Sequence, residues 1–158
     1  MPILQWIRLL SQFLLIVTSV TLGTLSWAAL GDTDASIEID RAQMKGTVRI
    51  TQAQAYAVHE ITSEHGVVVR EFVSPGGEVF AVAWQGPFIP DLPQLLGKHF
   101  DAYAQAAREQ KAAYVGRRPL NVQLPGLVVQ MSGHMRAYAG RAYLPNRLPQ
   151  GVAADLIR

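Results

Sequence analysis

The chain has 158 residues, 49% of them apolar and 16% charged, and no cysteine. That balance fits a single globular domain and excludes a disulfide scaffold, thiolate chemistry and lipid attachment through an N-terminal cysteine. The formal net charge is only +2, and no nucleic-acid partner is expected.

Residues 1–28 read as a secretory signal peptide. Met1 to Arg8 carries one positive charge, Leu9 to Leu25 carries none, and Ser26 and Ala28 put small residues at the −3 and −1 positions of a cut after Ala28. The alternative is an uncleaved anchor, since a spanning helix needs roughly 20 apolar residues. Ser11, Gln12, Thr18, Ser19, Thr21 and Thr24 weaken a permanent span, and no twin-arginine pair precedes the apolar run. The mature protein is expected to start at Ala29, in the periplasm or outside the cell, with no membrane span after cleavage.

Residues 29–46 are expected to form an acidic, partly mobile leader with a short helix from Ser36 to Met44, capped by Ser36. Residues 47–158 follow as one domain. Thr47 to Thr51 is a weak strand, Ala55 to Ile61 a better one, and Val67 to Val73 and Glu78 to Trp84 are the strongest. Ser74-Pro75-Gly76-Gly77 joins the last two, with Gly76 expected to supply the positive φ of a type II turn. Pairing Val73 with Glu78 would place Val67, Val69, Phe80, Val82 and Trp84 on one face and Val68, Phe72, Val79, Ala81 and Ala83 on the other.

Asp91 caps a long amphipathic helix, with Pro93 in its first turn and Gln94 three residues after the cap. Its apolar stripe is Leu92, Leu95, Leu96, His99, Phe100, Tyr103, Ala106 and Ala107. Gly116 and Pro119 are expected to end it. Leu127 to Met131 and Met135 to Tyr143 are two more strands, turned at Ser132-Gly133-His134, and the tail from Leu148 makes a helical turn. The predicted class is α+β: an antiparallel sheet built of hairpins, with one long helix packed across a face.

Charge is unevenly placed. Ala29 to Gly97 holds nine acids and four bases, whereas Lys98 to Arg158 holds three acids and nine bases. Mutual attraction of the halves in the fold accounts for this most simply. The other reading is a basic surface of Arg108, Lys111, Arg117 and Arg118 around one helix end, facing an anionic partner.

The runs VHEIT (58–62), VREFVSPGG (69–77), VFAVAWQGP (79–87), PDLPQLLG (90–97) and GHMRAYAGRAYLP (133–145) together resemble an exported bacterial family known as domain of unknown function 2844. The resemblance spans nearly all the mature chain. It implies a secreted or periplasmic protein and carries over no activity and no catalytic residue.

Candidate chemistry rests on few residues. His59-Glu60 lacks the second histidine of an H-E-x-x-H helix. His59, His65 and His134 would need to converge in the sheet to bind zinc or serve a hydrolase. His99 lies on the helical stripe and reads as a buried histidine bonded to a backbone carbonyl. Ser132 and His134 stand close but lack a placed acid, and no G-x-S-x-G elbow exists. Glu60, Glu71 and Glu78 are carboxylates on strands, where salt-bridged or solvated roles are the commoner ones. Arg136 and Tyr138 face one way by alternation, Arg141 and Tyr143 the other, so no continuous stacking platform is expected. The function expected is a non-catalytic binding or accessory domain, without cofactor or metal, whose partner is an envelope component or another protein. The alternative is a small periplasmic hydrolase or metal-dependent enzyme using His59, His65 or His134.

Overall fold

A computed structural model describes residues 30–113 and 119–158. The expected export signal and its expected cleavage site, the expected helix end at Gly116, and Arg117 and Arg118 lie outside the described residues.

Among the described residues, alternating β-branched and aromatic residues form seven strands: β1 (Thr47–Gln52), β2 (Ala57–Thr62), β3 (Val68–Val73), β4 (Val79–Gly86), β5 (Leu120–Leu124), β6 (Leu127–His134) and β7 (Ala137–Tyr143). They make one antiparallel sheet in the order β1-β2-β3-β4-β7-β6-β5. Among the described residues, three α-helices, α1 (Ile37–Gln43), α2 (Leu92–Leu96) and α3 (Phe100–Ala113), complete the α+β fold. The expected long helix is present as one joined helical run from Leu92 to Ala113, in which Gly97, at φ +48°, ends α2 and a single 3-10 turn leads into α3.

Helices pack on one face of the sheet. There Ile61, Val69, Val82, Trp84, Val122, Leu127, Val129 and Ala142 meet Ile37, Leu95, Leu96, Tyr103 and Ala107 in one continuous core. The acidic segment before β1 belongs to this packing: Leu30 is fully buried, its N–H donates to the Leu95 carbonyl at 3.0 Å, and Thr33 bridges Glu78. The opposite face is covered in part by the C-terminal tail, where Val152 and Ile157 pack on Phe72, Phe80, Ala81 and Ala83. Tyr56, Phe72 and Phe80 stack there with centroids 5.8–6.2 Å apart.

The two strongest strands pair differently from the register considered above. Val73 pairs with Val79 and Phe72 with Ala81, so Phe80 is an extra residue in a β-bulge. The bulge exchanges two side chains: Val79 joins the helix-side core and Phe80 the tail-side one. Its source is the turn. The Gly77 N–H donates to the Ser74 carbonyl at 2.9 Å, and Gly77 rather than Gly76 takes the positive φ, +78°. The β2–β3 turn repeats the design: Gly66 donates to Ser63 at 3.1 Å, again with φ +78°. In both, the serine hydroxyl accepts from the N–H one residue beyond the glycine, Val67 at 3.0 Å and Glu78 at 3.2 Å. A tight turn followed by a left-handed glycine matches the twist of a hairpin better than the expected type II turn.

The turn expected at Ser132-Gly133-His134 sits further on. β6 continues to His134, and Met135-Arg136 makes the reversal, with Arg136 at φ +64°. β5 was not expected. Its Leu120, Val122 and Leu124 pack on the helix-side core, and Gln110 of α3 closes its outer edge, accepting from Asn121 N–H at 3.3 Å and donating to Asn121 O at 3.0 Å. A side-chain amide thus supplies the hydrogen bonds of a missing strand.

Candidate functional site

The histidines do not converge. His59 is in the middle of β2 on the helix side, His65 is exposed in the β2–β3 turn beside Glu64, and His134 is exposed at the end of β6. β2 and β6 stand four strand spacings apart, about 19 Å at roughly 4.8 Å each. Among the described residues no group of three or more His, Asp or Glu side chains is placed to hold a metal. Burial lowers the pKa of His59, opposed by the charge of Asp34. His99 is half-buried, and its Nε2 is enclosed with no partner rather than bonded to a carbonyl. Burial and then Lys98 lower its pKa, against Asp32.

The strand carboxylates divide. Glu60 accepts from Arg70 Nε at 2.7 Å, and Glu78 accepts from Arg147 at 2.5 Å. Those two have the salt-bridged role that strand carboxylates commonly have. Glu71 does not: it is 1% exposed and faces the helices, between Val69 and Val73. Its neighbour is Asp40 of α1, which is fully buried and accepts a hydrogen bond from the Gln94 side chain. Gln94 therefore forms only half a capping box. Its N–H donates to Asp91 at 3.2 Å as expected, but its side chain turns inward to Asp40. Burial is the main force raising both carboxyls, and Asp40 raises Glu71 further. By residue type alone Glu71 looks like the other strand glutamates. The signal that separates it is its place at a core position of the alternation, matched by Asp40 three residues after the buried Ile37.

On the tail side, Arg141 of β7 is the organising residue. Its Nε donates to Gln130 at 2.8 Å, and its Nη1 donates to the carbonyls of Ala154 at 2.6 Å and Ile157 at 3.2 Å. Gln130 in turn donates to Asn121 at 3.4 Å, so a polar ladder crosses β7, β6 and β5. Beside this ladder and the end of the tail lies a cleft of about 480 Å³ lined by Gln85, Asn121, Ser132, Ala139, Ile157 and Arg158 among others. That volume lies in the range of small-molecule sites. The Arg141 guanidinium also sits 6.0 Å from the Tyr143 ring, both on this face as alternation predicts.

Of the basic surface, Arg108 and Lys111 are exposed on α3, with no carboxylate in ion-pair range among the described residues. Among the described residues, two ion pairs join the halves of opposite charge: Arg147 to Glu78, and Lys98 to Asp32 at 4.0 Å. A second cleft, of about 360 Å³, lies between the end of α1 and the β4–α2 loop, where Phe88 and Ile89 are exposed. No described helix is long and apolar enough to cross a membrane.

A family model described as protein of unknown function, DUF2844, matches residues 26–157. No curated protein and no solved structure matches the chain.

Proposed function

The chain belongs to the family of proteins of unknown function DUF2844, and from that premise we propose that it is an exported, non-catalytic binding domain that takes an envelope ligand into the cleft beside its C-terminal tail. The observation that carries this reading is the polar ladder of Arg141, Gln130 and Asn121 along a 480 Å³ cleft. Planar amide and guanidinium groups held in fixed positions present donors and acceptors at little entropic cost, which suits a neutral polar ligand. Export is supported by the signal-like residues 1–28.

The test is co-sedimentation of the mature protein with cell-wall material and with anionic vesicles. Ser132 is exposed at the cleft, so Ser132→Trp fills it without entering the core. Retention on cell wall is expected for the wild type and is expected to be lost in the variant. Equal retention of both would remove the cleft from the reading. Retention on vesicles alone, abolished by salt, would move the role to the basic surface of Arg108 and Lys111.

A further inference from the structure

We propose that Asp40 and Glu71 form a proton-held latch: one proton shared between two buried carboxyls docks helix α1 on the sheet, and its loss as pH rises undocks that helix.

The geometry sets the problem. Asp40 on α1 is 0% exposed and Glu71 on β3 is 1% exposed. One oxygen of each, Asp40 Oδ2 and Glu71 Oε2, is enclosed with no hydrogen-bond donor beside it. Two ionised carboxylates cannot stay in contact away from water, whereas a carboxylic acid donating to a carboxylate satisfies both. Gln94 donates to Asp40, which favours the charge there. Glu71 is then the acid that keeps the proton, held by burial and by the negative charge beside it.

Among the described residues, no cation on a neighbouring element relieves the pair. On α1, Arg41 is turned to Glu38 at 2.5 Å. On β2, His59 stands directly across from Glu71, and burial disfavours its charged form. On β3, Arg70 points to the opposite face and pairs with Glu60. β4 offers Val82. Beside α2, Asp91 adds a further negative charge that raises Asp40. Lys98, after α2, is paired with Asp32 at 4.0 Å. Asp34, before α1, acts on His59.

The linkage has one sign. Both folded-state pKa values are raised, so the folded state binds more protons than the unfolded chain. The stabilisation is complete below the ordinary carboxyl range and is lost as pH climbs through the folded-state value of Glu71. The proton leaves Glu71 for water, and two adjacent carboxylates then repel. α1 is the element that yields, being one short helix against a strand paired on both sides. Met44, just past its end, and Gln94 line the 360 Å³ cleft under Phe88 and Ile89, so undocking opens that cleft.

Amide hydrogen exchange of the purified protein, corrected for the intrinsic pH dependence, tests the latch. Between about pH 5 and about pH 9 the protection of residues 37–44 is expected to fall about tenfold or more, the factor belonging to one pKa unit, while β3 and β4 keep theirs. Glu71→Gln donates to Asp40 at every pH and is expected to flatten the profile. Should that variant fail to fold, Asp40→Asn, whose amide donates to an ionised Glu71, serves the same purpose. Constant protection of 37–44 in the wild type, or an unchanged loss in either folded variant, overturns the proposal.

Discussion

The two faces of the sheet bury polar groups in opposite ways. On the helix side, two carboxyls meet with no cation, and the solution is a shared proton and one amide donor. On the tail side a guanidinium is partly enclosed, and neutral acceptors surround it: the Gln130 amide and two backbone carbonyls. Arginine keeps its charge at any accessible pH, so its partners can be neutral and the arrangement is indifferent to pH. A carboxyl pair has a proton to lose, so the helix side depends on pH. The difference shows that a buried charge is tolerated where donors and acceptors match, whatever its sign, and that only the titratable one can act as a switch.

The largest effects should come from the apolar parts of both faces. Leu96, fully buried at the end of α2, and Ile157, fully buried in the tail, are each expected to cost about 2–5 kcal/mol when changed to Ala. Denaturant melts measure this. Equal losses would make the tail as structural as the helices; a small loss for Ile157→Ala would mark the tail as a detachable flap.

Arg141→Met keeps much of the apolar stem but removes the donors to the tail. A loss of about 1.5–3 kcal/mol is expected, the range for hydrogen bonds from a charged group. This loss should be the same in acid and in mild alkali, whereas the wild-type protein should itself weaken as pH rises through the Glu71 titration. A pH-dependent Arg141→Met deficit would show that the two faces are coupled.

The smallest effect is expected at Lys98, which is 64% exposed and 4.0 Å from Asp32. Lys98→Ala should change stability by no more than about 0.5 kcal/mol, as for most exposed pairs. A larger change in the melts would give the ion pairs between the acidic and basic halves a weight in folding that their exposure does not suggest.

Much of the fold was legible along the chain. β-branched alternation marked β2, β3, β4, β6 and β7 to within a few residues, and Asp91 marked the start of α2. β5 escaped because Leu120-Asn121-Val122-Gln123-Leu124 is a short edge segment between two prolines, completed by β6 on one side and Gln110 on the other. The site was far less legible. Asp40 and Glu71 lie 31 positions apart in the numbering, and no local pattern joins a helix residue to a strand residue. Arg141 read as half of an interleaved Arg-Tyr pattern, while its partners include backbone carbonyls of the tail, which no sequence pattern announces.

The fold class is legible along the chain: an antiparallel sheet built of hairpins with one long helix across a face, because period-2 and period-3.6 apolar patterns act through neighbouring residues. The sequence also placed the two serine–glycine turns between their strands, although not their geometry. Only the tertiary structure decided which way Phe80 and Val79 face, since one bulged residue inverts a strand's faces. Only packing decided that Glu71 is an enclosed acid while Glu60 and Glu78 are exposed enough to pair with arginine. The physical reason is the same in each case. Burial and its consequences for charge depend on what covers a residue, and here the cover comes from α1, α2 and the tail, elements remote in the chain.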